Sequence, residues 1–435
     1  MAINDKQIIK LEGFELRNSP PNFSNMKARF RLDGLDRENK PAFLPLSDEL
    51  LSTHILVLGG IKTGKTNSIY QIVSQLRKLM TPNDVVVIFD TKGDFYREFY
   101  RQGDIVISND ANATGANGKD YWNIFRELGQ SNDVESNIAE ISKTLFYEKI
   151  RDNHQKFFPN AAKDLFGGIL LHYARMQNQN MNNHQLRQFL NSKDSAAEIR
   201  SLLENHPDLQ AMNSYIAPNA PNQTQGVMSE LQQTIREIFQ GNFSKQGTLS
   251  IREAIKQKNG RAIFVEYDLG VGNMLTPIYR LLFDLAIKEA LSREKSEGNV
   301  WFVIDEFRLI PLLQHVDDGV NFGRSLGAKF IIGVQNVSQI FEAYGEQLAR
   351  SILSGFMTTI AFRVNDQMTK NFIQERFGKN RKLESYEVGT RRIEQVREAN
   401  VVEDWHIAGL TTGTAIIGIP EQHPFVFRFK EYPTR

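Results

Sequence analysis

The sequence predicts an α/β protein with a mostly parallel sheet and an inserted all-helical domain. Continuous apolar runs such as "DVVVIFD" and "NVWFVIDEF" are typical of strands that are covered on both faces of a parallel sheet. Segments of helical length separate these runs, as expected of alternating strands and helices. Residues 128–242 lack such runs and show helical spacing of their apolar residues instead. These three observations together predict the fold class.

The composition excludes several classes of protein. The 435 residues include no cysteine, so disulfides, thiolate zinc sites and a cysteine nucleophile are excluded. The formal net charge of +1 excludes a polybasic nucleic-acid coat protein, so any DNA contact must come from a local patch or a channel. No stretch approaches the ~18 apolar residues that a membrane-spanning helix needs, and the N-terminus lacks the apolar core of a signal peptide. We therefore expect a soluble, cytoplasmic chain.

The chain is expected to consist of three parts. Residues 1–50 hold short alternating pieces around a Ser-Pro-Pro turn, which predict a β-rich segment that packs on the next domain. Residues 51–127 and 243–435 alternate strands and helices and are expected to form one α/β domain, while residues 128–242 form the helical insertion. Two independent domains in series are the alternative, but the first two apolar strands alone would make too small a sheet.

A glycine-rich turn follows the first apolar strand. The sequence "GGIKTGKT" fits the pattern G-x-x-x-x-G-K-[ST] and lies between the strand "ILVLG" and a predicted helix. The backbone N–H groups of such a turn point at phosphate oxygens, and the positive end of the next helix adds to their field. Lys65 is expected to reach the β- and γ-phosphates of ATP, and the Thr66 hydroxyl to bind Mg²⁺, although the chemistry does not exclude manganese. The residues expected to hold the nucleotide are Gly59, Gly60, Ile61, Lys62, Thr63, Gly64, Lys65, Thr66 and Asn67.

A dinucleotide site is the rival interpretation of this region, with Asp90 as the carboxylate that binds the ribose. The sequence contains no G-x-G-x-x-G at this turn, and a dinucleotide site would leave Lys65 and Thr66 unexplained. We therefore favour the nucleoside triphosphate.

Two apolar strands end in carboxylates that could complete the Mg²⁺ shell, one at Asp90 and the other at Asp305. Only Asp305 is followed at once by a second carboxylate. We therefore assign Asp305 to the metal and Glu306 to the attacking water. Gln335 ends a further apolar strand, where its amide could sense the γ-phosphate. Arg324 precedes that strand and could neutralise charge on a phosphate bound by a neighbouring subunit. Taken alone, Gln335 and Arg324 are better explained as structural residues.

The order of these segments resembles that of the type IV secretion coupling proteins, the conjugative DNA-transfer ATPases of bacteria, which are related to septal DNA translocases. The resemblance covers residues 45–435. The "D-x-K-G-D-F" segment and the succession "G-R-x-x-G … G-V-Q … Y-G-E" are its more particular motifs, whereas the phosphate loop is shared by very many NTPases. The segments that carry the resemblance are "THILVLGGIKTGKT", "VVVIFDTKGDFYREFY", "NVWFVIDEF", "GRSLGAKFIIGVQNVSQIFEAYGE" and "ILSGFMTTIAFRV".

The resemblance implies a RecA-like P-loop NTPase with an all-helical domain inserted after its early strands. It also implies ATP hydrolysis between the subunits of a homo-oligomeric ring, commonly a hexamer, that moves single- or double-stranded DNA toward a secretion channel. Relaxosome or secretion-channel proteins would be the partners. By position, Lys65 and Thr66 match the family's phosphate-loop residues, Asp305 and Glu306 its acidic pair, Gln335 its sensing glutamine and Arg324 its inter-subunit arginine.

One feature departs from the family pattern. Family members usually begin with transmembrane helices, and this sequence shows no such segment. Three explanations stay open: a membrane partner recruits the chain to the inner face of the membrane, an anchor has been removed, or the protein moves DNA in a cytoplasmic defence or DNA-processing system. An ATP-dependent assembly scaffold without translocation is a further alternative, and it predicts an ATPase that does not respond to DNA. Arg97, Arg101, Lys119 and Lys156 are candidates for DNA contact, although charged residues in such loops are usually only solvated.

Overall fold

The computed structural model describes residues 4–23, 27–110, 120–129, 133–176, 181–292, 297–388 and 391–434. The contacts between Cα atoms divide the chain into two compact units. The first unit comprises Met1–Thr81, Glu297–Leu312 and Val316–Arg435, and the second comprises Pro82–Ser296 and Leu313–His315.

The described residues form fourteen strands and fourteen α-helices. The strands are β1 (Asn4–Glu12), β2 (Phe30–Leu35), β3 (Pro41–Leu46), β4 (Ile55–Leu58), β5 (Val85–Asp90), β6 (Ile105–Ile107), β7 (Ala262–Glu266), β8 (Val300–Ile304), β9 (Ala328–Val334), β10 (Thr358–Ala361), β11 (Lys379–Val388), β12 (Arg391–Asn400), β13 (Thr414–Gly418) and β14 (Phe425–Phe429). The helices are α1 (Asp48–Ser52), α2 (Lys65–Leu79), α3 (Asp94–Phe99), α4 (Val134–Asp152), α5 (Phe157–Arg175), α6 (Asn183–Leu190), α7 (Ser195–Glu204), α8 (Pro221–Ile238), α9 (Ile251–Gln257), α10 (Gly272–Ala290), α11 (Val316–Phe322), α12 (Ser338–Ser354), α13 (Gln367–Phe377) and α14 (Asp404–Ala408).

The first unit is built on eight strands in the order β3-β2-β14-β13-β10-β4-β9-β8. The four strands β10, β4, β9 and β8 run parallel to one another, and the other four extend the sheet with antiparallel pairing. Every residue of β4, β8, β9 and β10 is buried, as their continuous apolar runs predicted. The predicted α/β fold with a parallel sheet at its centre is confirmed.

A second, three-stranded sheet of the first unit has the order β1-β11-β12 and is antiparallel throughout. Its first strand comes from the predicted N-terminal segment 1–50, whereas β2 and β3 of the same segment pair in the larger sheet. The N-terminal segment therefore contributes strands to both sheets of the unit. Its boundary as a separate part stays a prediction.

The second unit combines the parallel strands β5, β7 and β6, in that order, with the helices α3 to α10. Between residues 128 and 242, all of the described secondary structure is helical. Helix α5 packs on α4 and α8, and buries Leu165, Phe166 and Ile169. None of the described helices is long and apolar enough to cross a bilayer. The contact-based unit is larger than the predicted insertion because it includes three strands, so the boundaries at 128 and 242 stay a prediction.

Candidate functional site

The phosphate loop follows β4 and is hydrogen-bonded to the ends of the two strands beside it, β9 and β10. The Gly59 N–H donates to the Val334 carbonyl at 3.2 Å, and the Gly60 N–H donates to the Arg363 carbonyl at 2.9 Å. Gly64 has a φ of +116°, and a Cβ built on it would lie 3.0 Å from the Cα of Gly413. Only glycine fits this left-handed and crowded position without strain. The loop therefore has the turn that its glycines predicted.

Lys65 is the first residue of α2, and its side chain turns back into the loop. Its ammonium donates to the carbonyls of Gly59 at 2.5 Å and Gly60 at 3.0 Å, and the residue is only 7% exposed. The helix is held in place by a buried apolar face that includes Ile69 and Leu76, as the helical spacing predicted. The positive end of the helix and the ammonium therefore lie at the same turn.

Thr66 and Asp305 are in contact although 239 positions separate them in the chain. The Thr66 hydroxyl donates to the Asp305 Oδ2 at 2.8 Å. The contact follows from the sheet order, because β9 lies between β4 and β8 and all three are parallel, so their carboxyl ends meet at one edge. The sequence could place each residue at a strand end, but it could not show this strand order.

The oxygens of Thr66 and Asp305 are hard ligands of the kind that Mg²⁺ prefers. No cluster of three or more His, Cys, Asp or Glu side chains suited to a metal occurs in the part of the chain that the structure describes. The protein thus offers few ligands of its own at this place. That suits Mg²⁺, which usually keeps several waters and binds through one or two carboxylates plus substrate phosphates. The residues therefore fit a Mg²⁺ ion that arrives with a nucleotide.

Glu306 and Gln335 form a second contact at the same edge of the sheet. The Gln335 amide donates to the Glu306 Oε2 at 2.5 Å, and the Glu306 Oε1 lies 3.2 Å from the Arg308 Nε. Burial raises the pKa of the Glu306 carboxyl, while the positive charges of Arg308 and Lys65 lower it to a smaller extent. A carboxylate with a raised pKa is a better proton acceptor than an exposed one. The raised pKa fits the general base that the sequence predicts at Glu306, and that role stays a prediction.

Arg324 lies apart from these contacts, on a short 3₁₀ helix, Gly323–Leu326. Its side chain is 58% exposed, and its guanidinium is 3.9 Å from the Glu49 carboxylate, which is itself exposed. None of the described hydrogen bonds or ion pairs joins Arg324 to the phosphate loop. The expected role of Arg324 toward a neighbouring subunit therefore stays a prediction.

Asn67 was expected to hold the nucleotide, but its side chain binds the C-terminal segment. The amide nitrogen donates to the Lys430 carbonyl at 2.9 Å, and the amide oxygen accepts from the Tyr432 N–H at 2.7 Å. Gln71, one turn further along α2, donates to the same carbonyl of Lys430. Any contact of Asn67 with a nucleotide must therefore come from its backbone. Nothing in the local sequence signals this pairing of α2 with the end of the chain.

Asp90, the rival carboxylate, organises the turn that follows β5. Its Oδ1 accepts from the N–H groups of Lys92 at 3.3 Å and Asp94 at 3.1 Å, and its Oδ2 accepts from Tyr96 at 2.8 Å. These contacts explain the "D-x-K-G-D-F" motif as a turn that begins helix α3. Gly93 adopts a left-handed φ of +68° in this turn. The geometry gives Asp90 a structural role.

The candidates for DNA contact have no common environment. Arg97 bonds within its own turn, to the carbonyls of Lys92 and Gly93 and to Asp94. Lys156 is exposed before α5, and Arg101 is exposed before β6. Lys119 lies outside the described residues. The geometry therefore singles out none of them.

Comparison with known proteins places the chain in a family. Residues 39–433 match the type IV secretion-system coupling protein DNA-binding domain. Coupling protein TraD of Escherichia coli (strain K12) is 23% identical over 442 residues, which cover 97% of this chain and 58% of TraD. The structure is similar to that of the bacterial conjugative coupling protein TrwBdeltaN70, with a TM-score of 0.77 and 19% identity over 98% of this chain and 94% of that one. The plasmid coupling protein TrwB in complex with ADP and Mg²⁺ gives a TM-score of 0.73 with 17% identity, over 98% of this chain and 95% of that one.

The chain thus spans somewhat more than half the length of TraD. The family match covers most of the chain, and it includes the phosphate loop, Asp305 and Glu306. This chain therefore belongs to the family of type IV secretion-system coupling protein DNA-binding domains.

Proposed function

We propose that this protein hydrolyses ATP and uses the energy to move DNA toward a secretion channel. The observation that carries the proposal is the contact between Thr66 and Asp305 at 2.8 Å, beside the contact between Gln335 and Glu306. A phosphate loop, a metal carboxylate and a candidate base thereby meet at one edge of one sheet. This is the arrangement that cleavage of a triphosphate requires.

Each residue of the site has a defined part in the proposed reaction. Lys65 exchanges the carbonyls of the loop for phosphate oxygens and stabilises the charge that develops during cleavage. Thr66 and Asp305 would hold Mg²⁺, which would supply positive charge to offset that of the phosphates. Glu306 accepts a proton from the attacking water, and Gln335 moves between Glu306 and the γ-phosphate.

The working form in this proposal is a homo-oligomeric ring, commonly a hexamer, with ATP bound between subunits. Support comes from Arg324, which is exposed and has no bond to its own phosphate loop among the described contacts, as a residue serving a neighbouring site would be. The family to which the chain belongs supports a place beside a type IV secretion system. We propose a position on the cytoplasmic side of the membrane, with DNA and secretion-channel or relaxosome proteins as partners.

ATP hydrolysis measured with and without single- and double-stranded DNA, together with the mass in solution, tests the proposal. We expect hydrolysis that DNA stimulates. Lys65→Ala should lower it by about 10²-fold or more, because a buried charge contact to the transition state is lost. Lys78→Ala is the matched control, because Lys78 is an exposed lysine in the last turn of the same helix. Equal rates for Lys65→Ala and the control would show that the site assignment is wrong.

The same measurement separates the alternatives. An assembly scaffold would bind ATP and hydrolyse it weakly, with no response to DNA. A motor of a defence or DNA-processing system would respond to DNA without a secretion partner, so co-purification with secretion proteins distinguishes it from a coupling protein. Stimulation by DNA together with such a partner supports the proposal in full.

A further inference from the structure

Residues 307–315 form a short connecting segment between the site carboxylates and helix α11. The segment begins with a 3₁₀ helix, Phe307–Leu309, directly after Glu306. Most of the segment belongs to the first unit, but Leu313–His315 belong to the second, and the chain returns to the first unit at Val316. The last three residues of this segment, which directly follows Asp305 and Glu306, are therefore part of the second unit.

Asp284 of α10 is the first anchor of this segment in the second unit. Its Oδ1 accepts from the backbone N–H groups of Gln314 at 2.7 Å and His315 at 3.2 Å. The residue is fully buried, and its Oδ2 has no hydrogen-bond partner in the described residues. Burial raises the pKa of Asp284 to about 7. Burying a carboxyl oxygen without a hydrogen-bond partner lowers the stability of the fold. A role for Asp284 beyond packing would explain why this residue is buried here.

Glu140 of α4 is the second anchor. The His315 ring bonds to one carboxylate oxygen of Glu140 at 2.7 Å, and Lys288 of α10 donates to the other at 2.5 Å. Burial opposes ionisation of Glu140, but the hydrogen bonds from His315 and Lys288 outweigh it and lower the pKa of this carboxyl. Burial opposes protonation of His315, but its bond to Glu140 and the charge of that carboxylate outweigh burial and raise the pKa of His315. The contact is therefore an ionic clamp on the last residue of the segment.

We infer that Asp284 and Glu140 are positioning residues that couple the state of the nucleotide site to the second unit through residues 307–315. The inference rests on the proposed ATP hydrolysis. Phe307, Ile310 and Leu313 of the segment are buried, so the segment cannot absorb a displacement of Glu306 as a loose loop would. The chain then continues through α11 to Arg324. One stretch thus links the candidate base, the clamp and the arginine offered to a neighbouring subunit.

Backbone hydrogen exchange of the full-length protein, with and without a non-hydrolysable ATP analogue, tests the coupling. We expect the analogue to protect the phosphate loop and also to change exchange in α4 and α10. Asp284→Ala and His315→Ala should keep the protection of the loop but lose at least half of the change in α4 and α10. Asp284→Asn keeps the acceptor oxygen and should behave as wild type.

Glu135→Ala is the matched control on α4, because Glu135 is an exposed acid whose carboxylate pairs with Arg175. A structural role alone would lower the unfolding temperature but leave the analogue-dependent change in α4 and α10 intact, and that result would overturn the inference. A protected loop without any change in wild-type α4 and α10 would overturn it as well. An unprotected loop in the wild type would instead overturn both the proposed function and the inference. His315→Ala, at a half-buried position, still decides the question if Asp284→Ala does not fold.

The ATPase assay gives a second readout. We expect basal hydrolysis of His315→Ala to stay within about twofold of wild type, while stimulation by DNA falls at least fivefold. A proportional loss of basal and stimulated rates would count against coupling. Wild type without stimulation, but with the exchange response intact, would refute translocation and leave the coupling standing.

Discussion

Gly333→Ala should impair the site without replacing any residue of it. Gly333 lies in β9, and a Cβ built on it would come within 2.2 Å of the Asp305 carbonyl oxygen and 2.9 Å of its carbonyl carbon. Real Cβ atoms do not approach other atoms closer than 3.0 Å, so the two backbones must separate by about 1 Å. Strand β9 is held by β4 on one side and β8 on the other, whereas Asp305 lies beyond the last paired residue of β8. Asp305 is therefore the residue that moves.

The expected cost follows from this displacement. Overpacking of this kind destabilises a folded protein by about 1–3 kcal/mol. A shift of about 1 Å in a catalytic group lowers turnover by roughly 10²-fold. Because Asp305 would move away from the Thr66 hydroxyl, we also expect half-saturation at a higher Mg²⁺ concentration. The rise in the Mg²⁺ requirement separates a displaced ligand from a general loss of stability.

Steady-state ATP hydrolysis across a Mg²⁺ titration, together with thermal unfolding, measures these effects. Gly167→Ala in α5 is the matched control, because a Cβ there meets nothing closer than 3.4 Å. A helical Gly→Ala change of this kind should be neutral or stabilise by up to about 1 kcal/mol. Unchanged turnover, Mg²⁺ requirement and stability in Gly333→Ala would refute the strand-end geometry on which the site is built.

Three further predictions follow from the site and its surroundings. Glu306→Gln should bind a fluorescent nucleotide as wild type does but release phosphate about 10²–10⁴-fold more slowly, and full turnover would remove Glu306 from the mechanism. Arg324→Ala should lose about 10³-fold in rate. Mixing it with Lys65→Ala should restore part of the activity if the arginine serves a neighbouring subunit, and no recovery would count against that role. Burial lowers the pKa of His54 to about 4, from about 6.5 when unfolded, and its Nδ1 accepts from the Phe330 N–H. The unfolded state therefore binds a proton that the folded state does not bind between pH 6.5 and pH 4. The free energy of unfolding, followed by thermal unfolding, should fall by up to about 3 kcal/mol over this range, and it should fall less in His54→Asn.

The elements with strong local signals could be predicted from the sequence. Strands β5, β8 and β9 were visible as continuous apolar runs because both of their faces are buried. The phosphate loop was visible because its glycines meet a local backbone requirement, as the left-handed φ of Gly64 shows. These features depend on neighbours in the chain, and a single sequence contains that information.

The hairpin of β11 and β12 was not predicted, and its sequence explains why. The segments "KNRKLESYEV" and "RRIEQVREAN" alternate charged residues with few apolar ones, since much of this sheet is exposed to solvent. The partner of β1 was equally invisible, because β1 pairs with a strand more than 360 positions away. Pairing at such distances leaves no local pattern to read.

The order of the strands brings Gln335 close to residues that lie far from it in the sequence. Gln335 follows β9, the strand between β4 and β8. On one side, the Val334 carbonyl before it holds the Gly59 N–H of the phosphate loop; on the other, its own amide holds Glu306. The amide of Gln335 has two N–H donors, so a glutamine at this position could donate to Glu306 and also to a phosphate oxygen. From this central position of β9, we propose that Gln335 links the occupancy of the phosphate site to Glu306, and that the strand order, rather than the residue type, creates this role.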